Sequence, residues 1–251
     1  MERRPLIAGN WKMNLGIVES KKLAEEIRHS AAKATDRDVM VAPTFTSLPT
    51  VAAALEGSNV LIAGQNVCWE ESGAFTAEIS PTMLTELGCS FAIIGHSERR
   101  HIFCEDDALI NKRIQGAMSF GLTPIHCIGE TLDERESNKT MTILESQIRK
   151  GLHDITLSSA DNLVIAYEPV WAIGTGKTAS KEQAQEVHAF VREILADIYE
   201  KSIASQIRIL YGGSVNPENV DALMGQNDID GALVGGAALK AEIFGRIIHF
   251  K

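Results

Sequence analysis

Short β-branched or apolar runs begin near Pro5, Asp38, Asn59, Ser90, Gly121, Asp161, Gln206 and Ile229, and a segment with helical periodicity follows each of them. Seven intervals separate Pro5 from Ile229, about 32 residues each, which is long enough for a right-handed crossover helix between parallel strands. Eight such units predict an α/β fold, a closed (β/α)8 barrel that forms a single domain over residues 1–251, because a ring leaves no edge strand. The alternative is an open doubly wound sheet. Against it, the first strand runs into Gly9-Asn10-Trp11-Lys12 and not into the G-x-G-x-x-G of a dinucleotide-binding turn.

The clearest helix places Val187, Phe190, Val191, Ile194, Leu195 and Ile198 on one stripe. Capping boxes are expected at Ser180-Lys-Glu-Gln183 and at Thr131-Leu-Asp-Glu134. Ser80-Pro81 and Asn216-Pro217 each pair an N-cap residue with proline at the first helical position.

Composition narrows the function class. A net charge of −9 with no segregated basic patch argues against nucleic acid and acidic membrane surfaces as partners. No apolar run approaches the roughly 18 residues that span a bilayer, and the segment Met1 to Gly9 lacks the apolar stretch of a secretory signal. A soluble, cytoplasmic protein is predicted. Cys68, Cys89, Cys104 and Cys127 form no C-x-x-C pair, so reduced thiols and no metal site are expected.

In a barrel the chemistry lies at the carboxyl ends of the strands. Those ends carry Asn10 and Lys12 on the first strand, His96 on the fourth, Cys127 and Glu130 on the fifth and Glu168 on the sixth. Glu168 follows the apolar run Leu163 to Tyr167 and precedes Pro169, so it reads as a base on a stiff support. Beside it, Val170 to Ala179 reads as a cover, with Gly174 and Gly176 as hinge and Trp171 as anchor. Strands seven and eight end in Gly212-Gly213-Ser214 and Gly235-Gly236, pairs that let backbone N–H groups approach a phosphate.

His96 precedes Ser97-Glu98-Arg99-Arg100, read as an N-cap and first turn. An imidazole at the positive end of a helix stays neutral and can donate to a carbonyl oxygen. Lys12, beside Asn10 and opposite the sixth strand, suits stabilisation of a developing oxyanion. Cys127 reads as a packed thiol. His29, His153, His188 and His249 read as structural, and alternation sends His126 under the helices.

Five segments, in order along the whole chain, carry a resemblance: Gly9-Asn10-Trp11-Lys12-Met13-Asn14, Ile94-Gly95-His96-Ser97-Glu98-Arg99-Arg100, Ala166-Tyr167-Glu168-Pro169-Val170-Trp171-Ala172-Ile173-Gly174-Thr175-Gly176, Tyr211-Gly212-Gly213-Ser214-Val215 and Val234-Gly235-Gly236-Ala237. Together they resemble the triosephosphate isomerase family. The resemblance implies a homodimeric TIM barrel without metal or cofactor that interconverts dihydroxyacetone phosphate and glyceraldehyde 3-phosphate. It makes Glu168 the base, His96 the neutral electrophile, Lys12 the electrostatic clamp and Asn10 a supporting contact. Gly174, Ser214, Gly235 and Gly236 then bind the substrate. By the same resemblance, Thr76 at the tip of the loop from Gln65 to Ser80 reaches into the other subunit. That loop is long and is expected to expose Val67, Trp69 and Phe75 to the partner.

Two positions depart from the family pattern: Ala77 where glycine is common, and Ala238 where serine is common. If position 77 needs a positive φ, alanine costs on the order of 1 kcal/mol there. Two other functions compete on the same fold. One is a Schiff-base aldolase with Lys12 as nucleophile; the other is a passive phosphate binder, which would not need Glu168, His96 and a hinged cover together.

Overall fold

The alternation of strand and helix resolves into eight parallel strands in the computed structural model, which describes residues 3–172 and 178–251. They are β1 (Leu6–Asn10), β2 (Asp38–Ala42), β3 (Val60–Gly64), β4 (Phe91–Ile94), β5 (Thr123–Ile128), β6 (Val164–Tyr167), β7 (Arg208–Tyr211) and β8 (Gly231–Val234). The strands follow one another in chain order, and β8 returns to pair with β1, closing the barrel. That last seam runs from Leu6 opposite Gly231 to Gly9 opposite Val234. A Cβ at position 231 would collide with the Leu6 carbonyl, so glycine permits the approach that closes the ring.

Strand alternation sorts the apolar residues into two cores. Leu6, Ala8, Met40, Phe91, Ile93 and Leu210 point inward and fill the barrel. Ile7, Val39, Val41, Ile94 and Ile165 point outward beneath the helices. Every strand is thus buried on both faces, as parallel strands under crossover helices require. The helix Lys181–Ile198 lies over this outer layer through Val187, Val191, Ile194 and Leu195, with Phe190 and Ile198 at its margin. Ser180 Oγ accepts from Gln183 N at 3.1 Å, and Gln183 Oε1 accepts from Ser180 N at 3.0 Å, completing the expected capping box. Thr131 and Glu134 do the same, but for the short helix Leu132–Glu136; a separate helix, Thr140–Gly151, comes after it.

Three local expectations are corrected. The sixth strand begins at Val164 and not near Asp161, because Ser159 Oγ accepts from Asp161 N and a 3₁₀ turn, Ala160–Asn162, comes first. Asn216 caps a turn, accepting from Glu218 N and Asn219 N, and the helix starts only at Val220. In the segment 65–80, Val67 is buried within its own chain and Trp69 is half-buried, with the Phe75 ring packed edge-on against it at 5.4 Å. Residues 70–77, with the tip at Phe75 to Ala77, are exposed. Ala77 has φ 76°, the left-handed conformation that makes its departure from glycine costly.

His126 and His188 are fully buried, as structural histidines. Nε2 of His126 lies 3.4 Å from Arg100 Nη2, and burial, aided by the Arg100 charge, pushes its pKa down to about 3. His188 Nδ1 meets the Asp228 carbonyl at 3.2 Å, and burial pushes it down to about 4 against the pull of that carbonyl, with the Arg192 charge also lowering it. The fold therefore holds both rings neutral, while the unfolded chain protonates them below about pH 6.5. Stability is present above that pH and is lost as pH falls toward 4, by about 2 kcal/mol per ring at pH 5. Urea unfolding measured from pH 7 to 5 should show this slope, and His126→Asn or His188→Asn should each flatten it. An unchanged slope in both variants would contradict the assignment.

Candidate active site

Asn10 closes β1, and its Oδ1 accepts from Lys12 N at 3.0 Å. This bond holds a turn in which Lys12 adopts φ 51°, a left-handed conformation costing a non-glycine residue about 1–2 kcal/mol. Gln65 Nε2 donates to the Lys12 carbonyl at 2.8 Å, and Lys12 Nζ donates to Glu98 Oε1 at 2.8 Å. The lysine is thus fixed at both ends.

The chain leaves β4 through Gly95, and His96 itself is the N-cap of the helix Ser97–His101. The sequence suggests Ser97 for that position. The correction matters, because the histidine side chain takes the cap bond: Nδ1 accepts from Glu98 N at 3.2 Å. A ring nitrogen that accepts carries no proton, so the proton of the ring lies on Nε2. Nε2 lies 2.9 Å from Glu168 Oε1.

Glu168 stands one residue beyond β6. Its N–H donates to Ile128 O at 2.7 Å, and Gly212 N donates to Tyr167 O at 2.7 Å, so the backbone there is pinned between β5 and β7. The carboxylate is 2 % exposed and its Oε2 accepts from Ser97 N at 2.9 Å. Burial would raise its pKa, but the His96 ring and the Ser97 amide outweigh this and hold it below the usual carboxylate value. For His96, burial opposes protonation, and the adjoining Glu168 carboxylate shifts the balance upward. The second proton of an imidazolium would nevertheless have to displace the Glu98 amide from Nδ1. Cys127 lies fully buried beside Glu168, and burial together with that carboxylate drives its thiol well above the ordinary value. Cys127 is therefore a packed thiol and not a nucleophile.

Asn10, Lys12, His96 and Glu168 line a cavity of about 380 Å³ together with residues 212–216 after β7 and 235–237 after β8. The turns lie close to the charged groups: a Cβ on Gly212 would come within 2.8 Å of Glu168 Cγ, and one on Gly235 within 3.4 Å of Lys12 Cε. A Cβ on Gly236 would meet nothing within 4 Å, so the glycine leaves the backbone open to the cavity. Ser214, Gly235 and Gly236 are therefore together with the polar side chains, whereas Gly174 and Gly176 lie outside the described residues. Among the described residues, no group of three or more His, Cys, Asp or Glu is placed to hold a metal ion.

Sequence reasoning missed the partners. Glu98, which receives Lys12, and Gln65, which holds its carbonyl, act across 86 and 53 residues, and no local pattern signals such a pairing. Glu130 does not line the cavity. Its Oε1 accepts from Tyr167 Oη, Trp171 Nε1 and Arg135 Nη1 at 2.9–3.1 Å, which ties the start of the segment after Glu168 to β5.

Comparison with known proteins agrees with this geometry. The family model described as triosephosphate isomerase matches residues 5–251. The chain belongs to the triosephosphate isomerase family. Curated triosephosphate isomerases from Syntrophotalea carbinolica and Geotalea uraniireducens are 52% and 53% identical over 249 and 248 residues, covering 99% of each chain. The crystal structure of triosephosphate isomerase from Bartonella henselae superposes with a TM-score of 0.89 at 40% identity, covering 97% of both chains.

The hydrogen-bond pattern around His96 is open to direct measurement. At neutral pH, ¹⁵N spectra of the labelled ring should show a protonated Nε2 and a bare Nδ1. Two protonated nitrogens would mean that the Glu98 amide does not hold the ring as described.

Proposed function

We propose that this triosephosphate isomerase family chain is itself an aldose–ketose isomerase that interconverts dihydroxyacetone phosphate and D-glyceraldehyde 3-phosphate through an enediolate. The supporting observation is the 2.9 Å approach of Glu168 to His96 in a cavity that the glycine turns after β7 and β8 also line. The phosphate sits against the N–H groups around Ser214, Gly235 and Gly236, which fixes the distance of the carbons from the carboxylate. The carbonyl end enters between Glu168 and His96 and replaces their mutual bond.

Glu168 then removes a proton from the carbon beside the carbonyl. Lys12 and the Nε2–H of His96 face the oxygen where negative charge develops, with Asn10 supporting the lysine. The ring passes a proton between the two oxygens, and Glu168 returns its proton to the neighbouring carbon. This division of roles is the family's own, carried onto these residues. One carbon is oxidised as its neighbour is reduced and hydrogen moves only as a proton, so the reaction needs no cofactor. Gly174 belongs to the same proposal as part of the cover that excludes water. The aldolase reading is less well supported, because Lys12 Nζ is engaged by Glu98 where a Schiff base requires a free amine.

The same proposal takes residues 1–251 as one cytoplasmic domain acting on a small phosphorylated triose, with neither nucleic acid nor membrane as partner. No described helix is long and apolar enough to cross a membrane. It also makes the active unit a homodimer. Met13, Ile102 and Phe103 are exposed around a second cavity of about 540 Å³ that also reaches Lys12 and His96. The exposed tip at Thr76 of a second copy fits that opening, so each site would gain support from its neighbour.

Replacing Glu168 with Gln should lower kcat by about 10²–10⁴-fold while the affinity for inorganic phosphate stays nearly unchanged; wild-type turnover would exclude Glu168 as the base. Introducing aspartate at both Phe75 and Thr76 should give a folded monomer of much lower activity. Sedimentation of that variant as a dimer, or full activity as a monomer, would defeat the dimer reading.

A further inference from the structure

The geometry points to Arg113 and Gly116, on the helix Asp107–Ser119, as positioning residues that hold the 65–80 arm in its docking shape before a second copy of the chain arrives. The inference rests on the homodimer proposed above and concerns what makes its arm competent. Arg113 is almost wholly buried, and its guanidinium grips both ends of the arm. Nη1 donates to the Val67 carbonyl on the outgoing limb and to Glu78 Oε2 on the returning limb at 2.7 Å. Nη2 donates to Glu78 Oε1 at 2.8 Å, completing a two-pronged bond, and to Glu105 Oε1 at 3.0 Å. The planar fork of arginine suits such a bond, and lysine cannot reproduce it. Between the limbs, Cys68 N donates to Ile79 O at 2.8 Å.

Gly116 acts from the same helix. A Cβ there would collide with Trp69 Cα, so the absence of a side chain lets the arm backbone lie directly on the helix. Trp69 is then stacked under Arg113, whose Cζ is 5.5 Å from the ring centroid, and carries Phe75 at its edge. The brace therefore runs from the helix through Trp69 to the exposed tip. An arm ordered within its own chain loses little further freedom on docking, which favours association without adding any contact to the partner.

The test compares the unaltered chain with Arg113→Met, Gly116→Ala and the milder Glu78→Gln, whose side chain is only partly buried and leaves no cavity. Dimer dissociation is measured by sedimentation and by specific activity on dilution, with hydrogen exchange of residues 68–78 alongside. The variants should dissociate at least tenfold more readily and lose activity on dilution, yet recover full kcat at high protein concentration. Exchange should quicken in the arm and stay unchanged in the helix 107–119. Dissociation within twofold of the unaltered chain for all three variants overturns the inference, as does a kcat deficit that persists when the variant is dimeric. An unaltered chain that is monomeric and fully active overturns the dimer reading and the inference together; an unaltered dimer with unmoved variants overturns the inference alone.

Discussion

Pairing of β8 with β1 is the constraint on which the rest of the molecule depends. An open sheet would leave two edges with unpaired N–H and C=O groups; a ring leaves none. Closure also makes alternation decisive, because each strand must give one set of side chains to the interior and the other to the helix layer. The interior is filled by residues such as Leu6, Met40, Phe91 and Leu210, so no passage remains through the barrel. Polar groups are forced out of that packed centre to the strand ends. At the carboxyl ends they converge, since all eight strands point the same way. The turns after β7 and β8 come to line one cavity with Asn10, Lys12, His96 and Glu168 for this reason, although the sequence separates them widely.

Glu168 is the most demanding of these groups. A buried carboxylate without partners costs several kcal/mol, whereas a hydrogen bond to a charged group returns roughly 1.5–3 kcal/mol. Ser97 N and His96 Nε2 supply two such bonds, and both come from the first turn after β4. His96 can serve because its other nitrogen caps the same helix, which fixes the ring's orientation and tautomer in one step. The carboxylate, its donor and the helix start are thus one arrangement. Its members can part only when another group, such as a substrate oxygen, takes over the bonds.

Much of this is legible in the sequence. Strand and helix alternate strongly enough to give the number of units and the barrel, and the residues just past the apolar runs include Asn10, Lys12, His96 and Glu168. Boundaries are less legible where side chains cap short turns, as Ser159 and Asn216 do, since a cap residue marks a start without setting the length of the turn or helix it opens. Val67 is hidden for a different reason. Its burial depends on contacts supplied by elements distant in sequence, and the carbonyl of that residue is gripped by Arg113 from 46 positions away. Pairs such as Lys12 with Glu98 have the same character: the residues carry no periodic signal, and only closure of the barrel brings them together.

Charge around the cavity sharpens the case for main-chain binding of an anion. Lys12 is matched by Glu98, and Glu168 adds a further negative charge, so these side chains do not present a surplus of positive charge. The net charge of −9 gives no help at long range. On the proposed reading a phosphorylated ligand is held by dipoles at the turns around Ser214, Gly235 and Gly236, which line the cavity, while the Gly212 N–H is already given to Tyr167 O. The strained turn at Lys12 fits the same logic. Asn10, Gln65 and Glu98 together offset its conformational cost and keep the ammonium in the cavity, where a Cβ on Gly235 would lie 3.8 Å from Lys12 Nζ. On the proposed reading, a cation held by these partners meets charge that appears only during the reaction, the condition under which a charged side chain lowers the barrier instead of merely tightening the ground state.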